Sequence, residues 1–277
     1  MDNNTIKKEK LYVIKHERGW KGSVFPLLDA SGLPRALEGR ERVLIKPNLV
    51  EALKPPITTP VGLVGAIVDY LIERTAVKEI IVGDGTGSLS YDTFYCFDEL
   101  GYRGLSESRE VKLIDLNTEP LVKLSNPGLT VWKEMYLPRL ALESFLISVP
   151  VLKAHTLSGV TLTMKNMFGL APPVHYQQGG HWKKSAFHAR IHESIFEVNS
   201  YRKADFTILD ATVGMKDAHL WGPTLDPPPG ILAGGADPVA IDAYGTAILG
   251  RDVCSIPHIN MAHGVLGFTE PSSVEEI

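Results

Sequence analysis

Cysteine is scarce in this sequence. The 277 residues include only Cys96 and Cys254, which lie far apart and form no CxxC pair. Structural zinc sites and iron–sulfur clusters need several closely spaced cysteine ligands. We therefore expect no iron–sulfur cluster within this chain. The low cysteine content is typical of a reducing compartment, although two cysteines can still form one disulfide.

Long apolar runs and an excess of positive charge are also missing. A transmembrane helix needs about 18 or more consecutive apolar residues, and no stretch of this kind occurs. The start, MDNNTIKKEK, is polar and lacks the apolar segment of a signal peptide. A net charge of -4 provides no global positive field for nucleic acid. We predict a cytoplasmic protein with no membrane partner and no nucleic-acid partner.

Short apolar runs alternate with amphipathic segments along the chain. Buried strands are predicted at 43–45, 78–84 and 145–151, with a helix that starts at Thr59-Pro60 between the first two. This spacing favours right-handed βαβ units and parallel strands. The predicted fold class is α/β with three layers, in which helices flank a mostly parallel or mixed central sheet.

A single α/β domain is predicted for residues 1–277, because no segment is typical of a long linker. Residues 119–140 contain β-rich pieces around an Asn-Pro-Gly turn and predict a small β-rich insertion. Residues 170–184 are rich in Pro, Gly, His and Gln and predict a loop or a lid. Residues 159–168 fit a strand and a helix, and the helix is favoured because it separates polar from apolar residues.

The stretch 145–169 carries the strongest functional signal. An apolar strand passes without a break into Lys153 and His155, and the chain continues to Lys165 and Asn166. Parallel α/β proteins hold their ligands at the carboxyl ends of the strands. Two cations and a histidine at such an end indicate a site for an anionic ligand.

Other predicted strands also end in polar residues. Lys46 and Asn48 follow one strand, Asp84 ends the next, and Asp210 ends a later one. If the strands are parallel, these side chains and Lys153 meet at one edge of the sheet. The lysines would neutralise a carboxylate or a phosphate, and Asp84 could hold a hydroxyl or a metal. The alternative is that all of them are ordinary solvated charges at strand ends.

Histidine and lysine are the candidate acid–base groups. An imidazole titrates near neutral pH, and clustered lysines lower one another's pKa, so that one of them could act as a base or a Schiff-base amine. We predict His155 and Lys153 as catalytic residues. The predicted ligand-binding residues, which would hold a small anionic ligand, are Lys46, Asn48, Asp84, Lys165, Asn166 and Asp210.

A histidine pair suggests a metal as one candidate cofactor. His188 and His192 are four residues apart on a helix predicted at 185–201, a spacing that lets two imidazoles bind one metal. Both lie at the border of the apolar face, so partly buried, hydrogen-bonded histidines are the alternative. His175 or His181 in the preceding loop could complete a divalent metal site. The cofactor otherwise stays open.

Several motifs resemble the domain-of-unknown-function 362 family. They lie at strand ends and helix starts, and the most specific is the Lys-Asn-Met-Phe-Gly segment. The matching residues are Ile45-Lys46-Pro47-Asn48, Thr58-Thr59-Pro60, Gly83-Asp84, Lys153, His155, Thr161, 165–169, Asp210, Gly214-Met215, Asp237 and Asp242.

This resemblance spans roughly residues 40–268 and implies an α/β fold without a settled activity. Some relatives carry a ferredoxin-like insert with cysteine clusters and look redox-linked, but this chain has no such clusters. We favour an enzyme that acts on a small phosphate- or carboxylate-bearing substrate. A non-catalytic anion- or metal-binding protein and a redox accessory protein are the alternatives. The substrate and reaction class stay open, and the sequence allows a homo-oligomer without requiring one.

Overall fold

The structure is a computed structural model that describes residues 7–277. Within this range, ten strands form a central sheet and two more form a small second sheet. The strands in chain order are β1 (Leu11–Lys15), β2 (Arg42–Pro47), β3 (Glu79–Asp84), β4 (Val111–Asp115), β5 (Leu121–Ser125), β6 (Glu134–Pro138), β7 (Phe145–Val149), β8 (Val151–His155), β9 (Gly159–Val160), β10 (Phe206–Met215), β11 (Ile231–Gly235) and β12 (Val274–Glu276).

Helices connect most of these strands. The α-helices in chain order are α1 (Gly19–Ala30), α2 (Leu33–Ala36), α3 (Val61–Arg74), α4 (Thr93–Glu99), α5 (Arg103–Ser108), α6 (Arg139–Glu143), α7 (Thr163–Asn166), α8 (Pro173–Tyr176), α9 (Ile191–Tyr201), α10 (Pro238–Ile248) and α11 (Pro257–Ala262). Short 3-10 helices occur at Met167–Leu170, Ser185–Arg190 and Val253–Ser255. No helix within 7–277 is both long enough and apolar enough to cross a bilayer.

The central sheet is mixed, with the strand order β12-β1-β11-β10-β7-β2-β3-β4. Strands β10, β7, β2, β3 and β4 run parallel to one another, whereas β11 is antiparallel to both β10 and β1. Strand β8 pairs with β10 beyond the end of β7 and with the short β9. The predicted α/β fold, with a mostly parallel or mixed sheet between helices, is confirmed.

Two apolar cores lie on opposite faces of the sheet and give the three layers. Successive strand residues point to opposite faces, so Leu44 packs in one core while Val43 and Ile45 pack in the other. Helix α3 adds Ile67 to the second core, and α9 adds Ile195 to the first. Each such fully buried aliphatic side chain contributes about 1.5–3 kcal/mol of burial free energy. The two cores therefore hold the strand ends in fixed positions.

The start of α3 differs from the prediction. The helix begins at Val61, and no side chain among residues 7–277 caps it. The Thr59 hydroxyl instead donates to the Val149 carbonyl at 2.6 Å and accepts the Asn48 N–H at 2.8 Å. It therefore ties the ends of β2 and β7 together.

The stretch 145–169 also differs in detail. The predicted strand extends to His155 and is interrupted at Pro150, where β7 gives way to β8. Residues 159–168 contain both predicted alternatives, the short strand β9 followed by the one-turn helix α7. Gly159 allows the tight return from β8 to β9 because its φ of 74° lies in the left-handed region.

Residues 119–140 and 170–184 both have defined structures. Strands β5 and β6 form an antiparallel pair within 119–140. The segment 170–184 contains the short helix α8, and its end is attached to the loop after β3. Trp182 forms a bridge with Ser88, and the Lys183 N–H donates to the Gly87 carbonyl at 2.8 Å. This attachment places the end of the segment beside the strand ends.

Candidate functional site

A cavity of about 320 Å³ opens where β2, β3 and β8 end. It combines lysine and histidine side chains with apolar ones. The structure brings eight of the predicted site residues to its wall: Lys46, Asn48, Asp84, Lys153, His155, Lys165, Asn166 and His188. Side chains that lie far apart in the sequence therefore meet at one edge of the sheet.

Asp210 does not reach this cavity. We expected it at a strand end, but β10 continues to Met215 and pairs there with β8. Asp210 is therefore a mid-strand residue, and its carboxylate accepts the N–H of Thr212 at 3.0 Å and its hydroxyl at 2.7 Å. Burial raises the pKa of Asp210. The continuation of β10 is the reason that this residue is separated from the others.

The histidine pair is split between two environments. The predicted helix at 185–201 begins as a 3-10 helix, and α9 starts only at Ile191. His188 lines the cavity, whereas the Nδ1 atom of His192 lies 3.0 Å from Nδ1 of His258. Across the described part of the chain, no group of three His, Cys, Asp or Glu side chains is arranged to hold a metal. A metal held by His188 and His192 stays a prediction without geometric support.

The floor of the cavity is a buried ion pair. The Lys46 ammonium lies 2.5 Å from the Asp84 carboxylate, and it also donates to Asn166 Oδ1 at 3.1 Å and to the Pro47 carbonyl at 3.2 Å. The other Asp84 oxygen accepts the Leu49 N–H at 2.6 Å. Burial lowers the pKa of Lys46, and the Asp84 carboxylate opposes this shift. All three N–H groups of Lys46 have acceptors, so Lys46 organises the floor and keeps none for a ligand.

Two close backbone approaches require glycine beside this ion pair. A Cβ atom on Gly169 would overlap Asp84 Oδ1 and Lys46 Nζ, and one on Gly85 would overlap the Gly169 carbonyl and Asn117. The final glycine of the Lys-Asn-Met-Phe-Gly motif is therefore needed for space at the cavity floor.

Asn166 joins the floor to the strand ends. Its amide oxygen accepts from Lys46 and, at 3.3 Å, from Asn48 Nδ2. Its amide nitrogen donates to the Lys46 carbonyl at 3.2 Å and to Ser148 Oγ at 3.1 Å. Because both ends of the amide are bonded, the orientation of α7 relative to β2 is fixed.

Lys153 and His155 share one face of β8, as their spacing of two residues requires. The Lys153 ammonium donates to Asn48 Oδ1 at 2.7 Å and to the Ile57 carbonyl at 2.6 Å, so one N–H remains. Burial, and then the nearby Lys165 ammonium, lower the pKa of Lys153 to about 7. Lys153 can therefore exchange a proton near neutral pH.

The tautomer of His155 follows from its backbone contacts. Its Nδ1 atom accepts the N–H groups of Leu157 at 3.1 Å and Ser158 at 3.2 Å. A nitrogen that accepts has no proton, so the neutral ring carries its proton on Nε2. Burial and the Lys165 charge lower the pKa of His155 below its usual range. His155 is thus a neutral hydrogen-bond donor on the cavity wall.

Lys165 differs from the other lysines of the cavity. Its ammonium has no hydrogen-bond or ion-pair partner among the residues that the structure describes, and the Phe168 ring is 5.4 Å away. Burial lowers the pKa of Lys165 to about 8. The helix that carries it is fixed by Asp242, which accepts the N–H groups of Thr163 at 2.7 Å and Met164 at 3.0 Å. An unpaired charge in this position favours an anion.

Two titratable cavity residues were missed by the sequence analysis. Lys184 donates to the carbonyls of Gly85 at 3.1 Å and Thr86 at 3.0 Å and to the side chain of Asn117, so it attaches the end of segment 170–184 to the loop after β3. Burial lowers the pKa of Lys184 to about 7. His219 stacks on the His155 ring with 4.1 Å between centroids. Neither residue belongs to a motif, and only their long-range contacts identify them.

Comparisons with known proteins support the fold. A family model described as "Domain of unknown function (DUF362)" matches residues 43–247. Among solved structures, the chain is similar to the lactate racemase apoprotein from Thermoanaerobacterium thermosaccharolyticum, with a TM-score of 0.55 and 12% sequence identity. The similarity covers 90% of this chain and 58% of that chain, so this chain spans just over half the length of that protein. At this identity the likeness shows the fold alone. A search of curated proteins found no match.

Proposed function

The chain belongs to the family described as "Domain of unknown function (DUF362)", and from this premise we propose an enzyme that acts on a small anionic substrate by acid–base chemistry. The family description names no reaction, so the proposal depends on the cavity at the strand ends. The substrate would carry a carboxylate or a phosphate group.

The observation that carries the proposal is the unpaired ammonium of Lys165. An ammonium inside a cavity loses part of its hydration, and the partly buried Lys165 has no acceptor among residues 7–277 to replace it. Lys153 adds one unused N–H beside it. The only carboxylate on the described wall, Asp84, is already paired with Lys46. A bound anion would supply the missing negative charge.

Two kinds of group would carry out the chemistry. Lys153 has a pKa of about 7, close to the value that suits a general base at neutral pH. His155 presents Nε2–H and would polarise a substrate oxygen as a neutral donor. His219, stacked on it, has its pKa lowered to about 3 by burial and by the lysines, so it too would stay neutral. We assign proton transfer to lysine and oxygen binding to histidine.

The name of the fold neighbour is compatible with this substrate class. Lactate racemase is named for lactate, which is a small carboxylate. The likeness is one of fold, so it adds no argument about the reaction, and small hydroxy acids enter the proposal only as test compounds.

A thermal-shift series tests anion binding. Malonate, lactate and inorganic phosphate should raise the melting temperature of the wild-type protein, and the increase should follow RT ln(1 + [L]/Kd). The increase should vanish in Lys165→Met and persist in Lys133→Met, because Lys133 is an exposed lysine outside the cavity. Equal stabilisation of all three proteins would exclude a site at Lys165.

Deuterium exchange tests catalysis. The protein would be incubated in deuterium oxide with the carboxylic acids that stabilise it, and loss of the C–H signal beside the carboxylate would be followed by proton NMR. His155→Gln should reduce the exchange rate while the melting temperature stays near that of the wild type. If anions stabilise the protein and no exchange or product appears, the non-catalytic binder is the better assignment.

A further inference from the structure

The surroundings of Lys165 point to a narrower substrate class than carboxylates and phosphates in general. We propose that the Lys165 amine forms a reversible imine with a small 2-oxo acid or aldehyde acid bound in the cavity. This proposal rests on the proposed anion-binding function and adds a covalent step to it.

The first argument is a comparison of the four lysines in the cavity. Lys46 and Lys184 each donate to three acceptors, and Lys153 donates to two. Lys165 is the lysine whose amine nitrogen has no such contact within the described chain. A nucleophile needs an uncommitted nitrogen lone pair that faces the substrate, and of the four only Lys165 provides it.

The second argument is the availability of the neutral amine. Lysine near pKa 10.4 is almost entirely protonated at neutral pH, whereas burial lowers the pKa of Lys165 to about 8. A useful fraction of the amine is therefore unprotonated under ordinary conditions. Lysines desolvated in apolar surroundings are known imine-forming residues.

The third argument is that the neighbouring groups match the rest of such a substrate. In its protonated form Lys153 has one free N–H that can hold the carboxylate, and His155 Nε2–H can hold the carbonyl oxygen. The neutral Lys165 nitrogen adds to the carbonyl carbon, and a C–N bond replaces the C–O π bond. The two hydrogens of the amine then leave with the oxygen as water, and a C=N bond remains. No oxidant or reductant is needed.

Borohydride trapping tests the proposal. Full-length protein would be mixed with pyruvate or glyoxylate and sodium borohydride, which reduces an imine to a stable secondary amine. We expect one reduced adduct on the intact protein, and peptide mapping should locate it at Lys165. Lactate, which has no carbonyl carbon open to attack, should leave no adduct.

Matched variants make the result specific. Lys165→Arg keeps the positive charge but cannot form an imine, so it should lose the adduct, while the wild type under the same conditions should be stabilised by lactate or malonate. Lys133→Arg should trap as the wild type does. Failure of every anion to stabilise the wild type would defeat the proposed function itself. Stabilisation without an adduct, or an adduct that persists in Lys165→Arg, would overturn the imine alone.

Discussion

Replacement of Lys165 by Met should make the unliganded protein more stable. Burial lowers the pKa of Lys165 from 10.5 to about 8, and each unit corresponds to 1.36 kcal/mol of free energy against the charged form. Because Lys165 lines an open cavity, solvent reduces the effect, and we expect a gain of about 1–3 kcal/mol at pH 7. Met retains the length of the apolar stem. For a chain of this size the gain corresponds to a rise of roughly 2–5 °C in melting temperature.

The pH dependence of this gain provides an internal check. Below pH 8 both the folded and the unfolded chain carry the Lys165 proton, so the full cost of burying the charge is present in the wild type. As the pH rises from about 8 towards 10.5, the folded protein loses that proton first and the cost decreases. The advantage of Lys165→Met should therefore be largest at pH 6–7 and shrink at higher pH.

Denaturant unfolding of the wild type, Lys165→Met and Lys133→Met at several pH values measures this effect. The exposed Lys133 should give a difference within about 0.5 kcal/mol at every pH. The reasoning is refuted if Lys165→Met is no more stable than the wild type at pH 7, or if its advantage does not change with pH. If Lys165→Met is more stable and still binds malonate as the wild type does, the Lys165 charge does not contribute to anion binding.

Other predictions follow from the same geometry. Anion affinity should be constant below about pH 6 and fall as the pH rises through 7 and 8, since Lys153 and then Lys165 lose their protons there; calorimetry at pH 8 in buffers of different ionisation enthalpy should detect proton uptake, and proton release would contradict it. Gly169→Ala should destabilise the protein by about 2 kcal/mol or more in chemical denaturation, because the added Cβ overlaps the ion pair of Lys46 and Asp84. Gly104→Ala is the control: its helix has open space for a Cβ, so the change should be neutral or stabilising by up to about 1 kcal/mol. Asp242→Ala leaves two buried N–H groups unpaired and should cost about 2–4 kcal/mol in chemical denaturation; an unchanged midpoint would remove its role in holding α7.

The position of the cavity follows from local sequence patterns, whereas the hydrogen bonds of its residues depend on the folded chain. Apolar runs and their periodicity were enough to predict β2, β3 and the strand that leads into Lys153, because burial and side-chain alternation are local properties. The spacing of Lys153 and His155 likewise predicts that both face one side of β8. Lys46, Asp84 and His155 therefore lie at or next to the last residues of their strands, as predicted for this edge of the sheet.

Only the tertiary structure decided which of these groups remain available. Lys46 is bonded to Asn166, which is 120 positions away in the chain, and no local pattern encodes that contact. The continuation of β10 removed Asp210 from the cavity, since strand length there depends on pairing with β8. His219 lies on the cavity wall, where its ring stacks on His155, although it belongs to the loop between β10 and β11. A sequence specifies which residues are buried through short-range periodicity, whereas the pairing of a charge depends on neighbours that only the folded chain brings together.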